Sequence, residues 1–117
     1  MKNSIHYSPE AQNDLDEIWE YISFELCNPQ AAENTVNKIM DTVDKLEKFS
    51  EIGAMLSSAT DIESDYRFLT SGNYMVFYRV NGQDVYIDRV LYGRRDDLRI
   101  LFSDLPQNDN ERLNKIK

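Results

Sequence analysis

YRFLTSGNYMVFYRVNGQDVYIDRVLY, residues 66–92, carries the reading of the fold. Three runs rich in tyrosine, phenylalanine and valine, residue types that suit a pleated, half-buried surface, are separated by two short punctuations. Residues 66–70 read as a strand, Ser71-Gly72-Asn73 as a turn and 74–80 as the next strand. Asn81-Gly82 tolerates the positive φ that both central positions of a type I′ turn require, and 84–92 then completes an antiparallel meander. Side chains alternate along a strand, so Tyr74, Val76, Tyr78 and Val80 share one face and Met75, Phe77 and Arg79 the other. In the last strand Val85, Ile87 and Leu91 alternate, yet Arg89 interrupts them and Val90 is apolar on the opposite side. A β-bulge there would reconcile the two patterns.

Upstream, residues 3–7 are rich in strand formers and suit an edge strand. Ser8-Pro9-Glu10 announces a helix, with Ser8 as cap and Pro9 in the first turn, where its missing N–H is not needed. Ala11, Leu15, Ile18, Trp19, Ile22 and Leu26 recur at helical spacing, while Glu10, Asp14, Glu17 and Glu20 fall on other faces. Asn28-Pro29 repeats the start signal, and Ala32, Val36, Ile39, Met40, Val43 and Leu46 form a second stripe running to about Phe49. So short a connection folds the two helices into an antiparallel hairpin, whose wide stripes need a sheet beneath them. A polar loop follows at about 50–65, with Gly53 and Ser57-Ser58 as turn positions. The expected fold is α+β, in the order β-α-α-β-β-β, with an antiparallel sheet packed by the N-terminal helical hairpin. A short helix over 94–102, or a tail in its place, closes a single domain of residues 1–103, and 104–117 form a flexible polar tail.

The chain has 117 residues, enough for one core and too few for two. Its formal charge of −8 argues against a surface built throughout for nucleic acid, but the charge is unevenly distributed. Residues 1–65 set four lysines against fourteen acids, whereas 66–103 carry six arginines against four aspartates. One cysteine, Cys27, and one histidine, His6, leave no cluster with metal-ligand spacing, so neither a metal nor another cofactor is expected. A Cys27 nucleophile with a His6 base is disfavoured, because the first lies near a helix end and the second near a strand start. The N-terminus lacks a signal-type apolar region and no run approaches a membrane span, which reads as a cytoplasmic chain without a membrane partner.

Three groups could carry chemistry. Arginines on a sheet suit phosphate or carboxylate recognition through their planar fork of donors. Arg67, Arg79 and Arg95, in or just after strands, are candidates, while Arg89, beside Asp88, and Arg99 read as structural ion-pair partners. Five of the seven tyrosines lie from Tyr66 onward. Tyr92, at a strand end beside Gly93, is the best placed of them to move a proton or meet a ligand. The third group is Gly93-Arg94-Arg95-Asp96. Paired carboxylates, a phosphate-binding glycine loop and a Ser/His/Asp set are missing.

Ser8-Pro9-Glu10-Ala11, DLDEIWEYI (14–22), NPQAA (28–32), YRFL (66–69), VFYRV (76–80) and RVLYGRRD (89–96), taken in order, resemble the RelE/ParE superfamily of toxins. The resemblance covers about residues 5–99 and implies a small toxin neutralised by a co-expressed antitoxin protein. Two mechanisms belong to that superfamily. RelE-like members cut ribosome-bound mRNA with basic and acid–base groups, and ParE-like members poison DNA gyrase. Where the ribonuclease branch places an arginine after the strand tyrosine matched by Tyr74, this chain has Met75; near Leu101 it lacks a tyrosine, and the basic residues of the preceding strand are thinned to Arg67. Methionine cannot stabilise a phosphorane charge. Tyr92 stands where ParE-like chains often carry histidine, and Ser50 where the family often has proline before Gly53.

The resemblance therefore favours a ParE-like toxin that inhibits DNA gyrase through protein binding, with Arg67, Arg79, Tyr92, Arg94 and Arg95 as the target-binding set. The alternative is a RelE-like endoribonuclease acting on the ribosome and mRNA, in which Arg67 and Arg95 hold phosphate and Tyr92 moves protons. A third reading is an inactive homologue that serves as an antitoxin-binding module.

Overall fold

The computed structural model describes residues 2–59 and 64–93. β1 (Ser4–Tyr7) leads into α1 (Pro9–Glu20), and α2 (Pro29–Asp44) follows. Then come β2 (Ala54–Met55), the single turn α3 (Leu56–Ala59) and the meander β3 (Arg67–Ser71), β4 (Tyr74–Asn81) and β5 (Asp84–Tyr92). The five strands lie in the order β1-β5-β4-β3-β2, so β1 is the edge strand the sequence suggests. It joins β5 in parallel, while every other pairing is antiparallel. β2 and α3 lie inside the expected 50–65 loop; elements of two and four residues are too short to display a period. The helix expected over 94–102, the tail, and with them Arg94, Arg95 and the 103/104 boundary, lie outside the described residues.

Both helices start as their caps dictate. The Ser8 hydroxyl accepts the Ala11 N–H at 2.9 Å and donates to the Asp88 carbonyl at 2.9 Å, so one side chain both caps α1 and ties it to β5. Asn28 caps α2 by accepting the Ala31 N–H at 3.1 Å. Beyond Glu20, α1 widens into a π-turn over Tyr21–Glu25, where the Leu26 N–H reaches back five residues to the Tyr21 carbonyl. Cys27 then reverses the chain in the left-handed region at φ 53.

That wide turn breaks the 3.6-residue period, so Leu26 does not follow Ile22 onto the packed face as expected. Ile22 is buried, whereas Leu26 is 56% exposed. Trp19, also expected in the packed stripe, lies at its margin with its ring edge-on to Phe24 at 5.9 Å. Asp14 is a correction of the opposite kind. Three residues after Ala11, it is buried within the stripe instead of solvated on another face.

The sheet is apolar on both sides, and the alternation of β4 sorts the two cores as its sequence predicts. Val76 and Tyr78 join Val85, Ile87, Val90 and the helix residues Ala11, Ile39, Val43 and Leu46 in the core beneath the hairpin. Met75 and Phe77 pack on the far face with Leu56, Tyr66 and Phe68. The bulge anticipated near Arg89 is present: Phe77 stands opposite Arg89 but Tyr78 opposite Ile87, leaving Asp88 as the extra residue. It resets the alternation, so Ile87 and Val90, three apart, both reach the helix side.

Gly53 is held at close quarters. Its N–H donates to the buried Tyr78 hydroxyl at 2.9 Å, and a Cβ built on it would stand 2.6 Å from that oxygen and 2.8 Å from the Phe68 carbonyl. Gly53→Ala is expected to lower stability by about 1–3 kcal/mol through overpacking. Tyr78→Phe should cost a similar amount, about 1–3 kcal/mol, by orphaning a buried donor. Urea midpoints at an unchanged slope measure both.

Candidate functional site

The bulge in β5 also distributes the charges around the sheet. Asp88 turns to the far face, where it accepts from the Arg79 Nε at 2.9 Å. The Arg79 guanidinium lies 5.2 Å from the centre of the Tyr66 ring, a cation–π arrangement. Arg89 turns to the helix side and forks onto Asp14, Nε to Oδ2 at 2.8 Å and Nη2 to Oδ1 at 2.9 Å. The Val90 N–H also donates to Asp14 Oδ2, at 2.9 Å. Arg89 is thus a structural ion-pair partner, as its sequence context suggests, but its acid is Asp14, 75 residues away, and Asp88 serves Arg79.

Arg67 has a third role. Its Nη1 donates to the carbonyls of Glu51 at 3.2 Å and Gly53 at 2.9 Å, stapling the loop before β2 to β3. All three described arginines therefore have protein acceptors. Of the expected set, Arg67 pairs in register with Tyr78, Arg79 with Tyr86, and Tyr92 with Tyr74. Arg79 and Tyr92 are separated by five residues of β4, roughly 17 Å along the strand, and face opposite sides of the sheet. Arg67, Arg79 and Tyr92 consequently do not form one cluster.

What the fold does assemble is a cleft of about 780 Å³ between the second half of α1, its wide turn, the start of α2 and the Tyr74 and Tyr92 ends of β4 and β5. Ile22, Leu26 and Val90 contribute apolar lining, and Asp14, Glu17 and Arg89 supply its charges. Three tyrosines, Tyr21, Tyr74 and Tyr92, converge on it, with the Tyr74 and Tyr92 rings edge-to-face at 5.5 Å. Burial, then the neighbouring Tyr92 and Tyr21 hydroxyls, raise the Tyr74 hydroxyl above its ordinary pKa, so it stays a proton donor. Tyr92, singled out from sequence, is 69% exposed at the mouth. Tyr21 and Tyr74 were missed as site residues. The available signal was the Tyr74/Tyr92 pairing implied by the hairpin register; Tyr21 needed the wide turn.

The family model for the ParE toxin of type II toxin–antitoxin systems, parDE, matches residues 5–97. The chain belongs to the ParE toxin family. Toxin ParE1 of Mycobacterium tuberculosis, found in two strains, is 31% identical to this ParE-family chain over 97 residues, 82% of this chain and 95% of the relative. Among solved structures, the chromosomal ParDE system from P. aeruginosa superposes with a TM-score of 0.67 at 24% identity, covering 80% of this chain and 98% of that one. The toxin–antitoxin complex RelBE2 from Mycobacterium tuberculosis gives 0.56 at 17% identity, covering 82% and 95%. At those identities the two structures establish a shared fold. Among the described residues of this ParE-family chain no helix is long and apolar enough to cross a membrane.

Two outcomes follow from the charged and phenolic groups. Removing the Asp14 carboxylate takes the acceptor from two Arg89 donors and from the buried Val90 N–H, so Asp14→Ala should destabilise the fold by about 3–5 kcal/mol in chemical denaturation. Alkaline stability follows from the buried phenols. Tyr7, whose hydroxyl finds no hydrogen-bond partner among the described residues, is pushed up to about 12 by burial and then by Asp44; Tyr66 is raised by burial and then by Asp88. The folded chain keeps these protons above pH 10, where unfolded tyrosines release theirs. Stability is therefore full below pH 10 and falls as pH rises toward 12. Tyr7→Phe should flatten that fall while leaving stability at pH 7 unchanged or higher, as read from melting temperatures between pH 7 and 11.

Proposed function

We propose that this ParE-family toxin acts by binding a protein, DNA gyrase, and that a cognate antitoxin holds it silent. The family membership and the engagement of Arg67, Arg79 and Arg89 by protein acceptors carry this reading. Phosphodiester cleavage needs cationic donors free to follow charge onto a phosphate, and the described strand arginines are committed to carbonyls and carboxylates. Met75, at the position where the ribonuclease branch carries arginine, is fully buried in the far-face core. The two solved relatives, a ParDE system and a RelBE2 complex, are toxin–antitoxin assemblies and support the antitoxin as partner.

Within this reading Tyr92, exposed at the end of β5, and the adjoining Arg94 and Arg95 form the target-binding segment. Arg67 and Arg79 act by holding the sheet and its loop in place. Expression without antitoxin should arrest growth. Purified toxin should inhibit gyrase supercoiling, with inhibition relieved by an equimolar amount of antitoxin, and leave mRNA intact in a translation extract. Arg94→Ala with Arg95→Ala should reduce inhibition at least tenfold without lowering the melting temperature. Cleaved mRNA together with untouched supercoiling would overturn the proposal in favour of the endoribonuclease.

A further inference from the structure

We infer that the far face of the sheet carries a receptor for an arginine side chain of the protein target, built from Asp84 and Tyr86 of β5 and His6 of β1. This inference rests on the protein-binding action proposed above and adds a second contact and the residue the target brings to it. Register sets the arrangement. Across the sheet His6 stands beside Tyr86, and Tyr86 beside Arg79. Val85 and Ile87 point into the core beneath the hairpin, so alternation sends Asp84 and Tyr86 to the far face. Two units of like composition therefore lie side by side there. In the first, Arg79 lies over the Tyr66 ring at 5.2 Å and donates from Nε to Asp88 Oδ2 at 2.9 Å. In the second, the Tyr86 ring and the Asp84 carboxylate stand with His6, whose ring stacks on Tyr86 at 5.2 Å and whose Nε2 donates to Asp84 Oδ1 at 2.9 Å. The first unit is filled by the chain's own guanidinium. The second is open: Tyr86 is 38% exposed, the His6 and Asp84 side chains are about half exposed, and Asp84 Oδ2 accepts no hydrogen bond among the described residues. Neither ring belongs to either core.

Charge selects the occupant. This end of the far face sets Asp84, Asp88 and the nearby Asp65, which acts on Arg79 through space, against one guanidinium. A phosphate or carboxylate brought to the row would meet that excess of acid, whereas a cation is drawn to it. Of the two permanently cationic side chains, arginine fits better. Its planar, weakly hydrated guanidinium lies against aromatic rings and forks onto a carboxylate at once, as Arg79 already does with Tyr66 and Asp88; a lysine ammonium is a compact, strongly hydrated point charge. The target proposed above handles DNA, and a surface that grips phosphates is supplied with such side chains. Tyr86 and Tyr92 are six residues apart in β5, roughly 20 Å, so both lie within one interface of ordinary size.

Two measurements on the full chain test the receptor. The first leaves the target out. His6 is the chain's single histidine, so its ring protons report on this spot in NMR spectra. N-acetyl-arginine amide at millimolar concentration and low salt should shift the His6 and Tyr86 ring resonances saturably. N-acetyl-citrulline amide, of the same shape without the charge, should leave them in place, and so should the arginine probe on Asp84→Asn. No shift with the arginine probe, equal shifts from both probes, or shifts produced instead by a short oligouridylate would overturn the site. The second measurement uses gyrase. The toxin concentration that halves supercoiling should rise about tenfold for Tyr86→Ala and Asp84→Lys. It should rise about threefold for Asp84→Asn, the size expected of an exposed ion pair. Asp41→Asn, which removes an exposed acid of α2, should behave like the parent. All variants should keep the parent melting temperature. Inhibition that is unchanged by Tyr86→Ala and Asp84→Lys would overturn the site while leaving the gyrase reading intact. A parent chain that takes up the arginine probe yet leaves supercoiling untouched would overturn the gyrase reading, and with it that target as the source of the arginine, while the receptor stands.

Discussion

A single buried carboxylate holds together parts of the chain that share no local sequence. Asp14 projects from the packed stripe of α1 and receives three hydrogen bonds from β5, two from the Arg89 guanidinium and one from the Val90 N–H. An aspartate inside an apolar stripe is costly on its own and is stable only when its oxygens are fully met. Meeting them requires Arg89 to leave the far side of the sheet, and the bulge at Asp88 makes that possible. The same irregularity sends Asp88 to Arg79, lets Ile87 and Val90 both enter the helix-side core, and leaves Tyr92 on the cleft side opposite Tyr74.

Seen from that contact, the arginines form a scaffold. Each described one fastens a different seam: Arg67 the loop before β2, Arg79 the far face of β4 and β5, Arg89 the hairpin to the sheet. A sheet stabilised in this way does not need lysine, which offers no planar fork, and the chain between 66 and 103 has none. The acids that balance this scaffold are few and internal, while the many acids of the helical hairpin remain on its surface. Structural and surface electrostatics are therefore carried by different parts of the chain, which is how a toxin of formal charge −8 can hold arginine-based ion pairs inside.

Much of this architecture was legible before any coordinates. Asn81-Gly82, the two proline-bearing helix starts and the alternation of β4 each specify local geometry, and local geometry is what a sequence pattern encodes most directly. Even the bulge was visible, as a conflict between Arg89 and Val90. The misreadings concern longer range. Asp14 looked like one more surface acid, because nothing within a helical turn reveals a partner 75 residues away. Leu26 looked packed because the period was extended through a π-turn that no residue in 21–25 announces. The parallel placement of β1 and the convergence of Tyr21 on Tyr74 depend on tertiary packing, and the arginine cluster dissolved once strand faces and carbonyl acceptors were known.

The parallel seam between β1 and β5 has a consequence for the order of events during synthesis. Ser4 pairs with Asp84 and Tyr7 with Ile87, so the first strand has no partner until nearly the whole described chain has been made. The Ser8 cap and the Asp14 fork wait for the same late strand. Contacts of such sequence separation slow folding and leave early segments without their core in the interval. An incomplete nascent chain has a helical hairpin but neither the cleft nor the Tyr92 end of the sheet. The molecule therefore completes the cleft and the Tyr92 end of the sheet in the same late step, and a chain that stops short of β5 has neither.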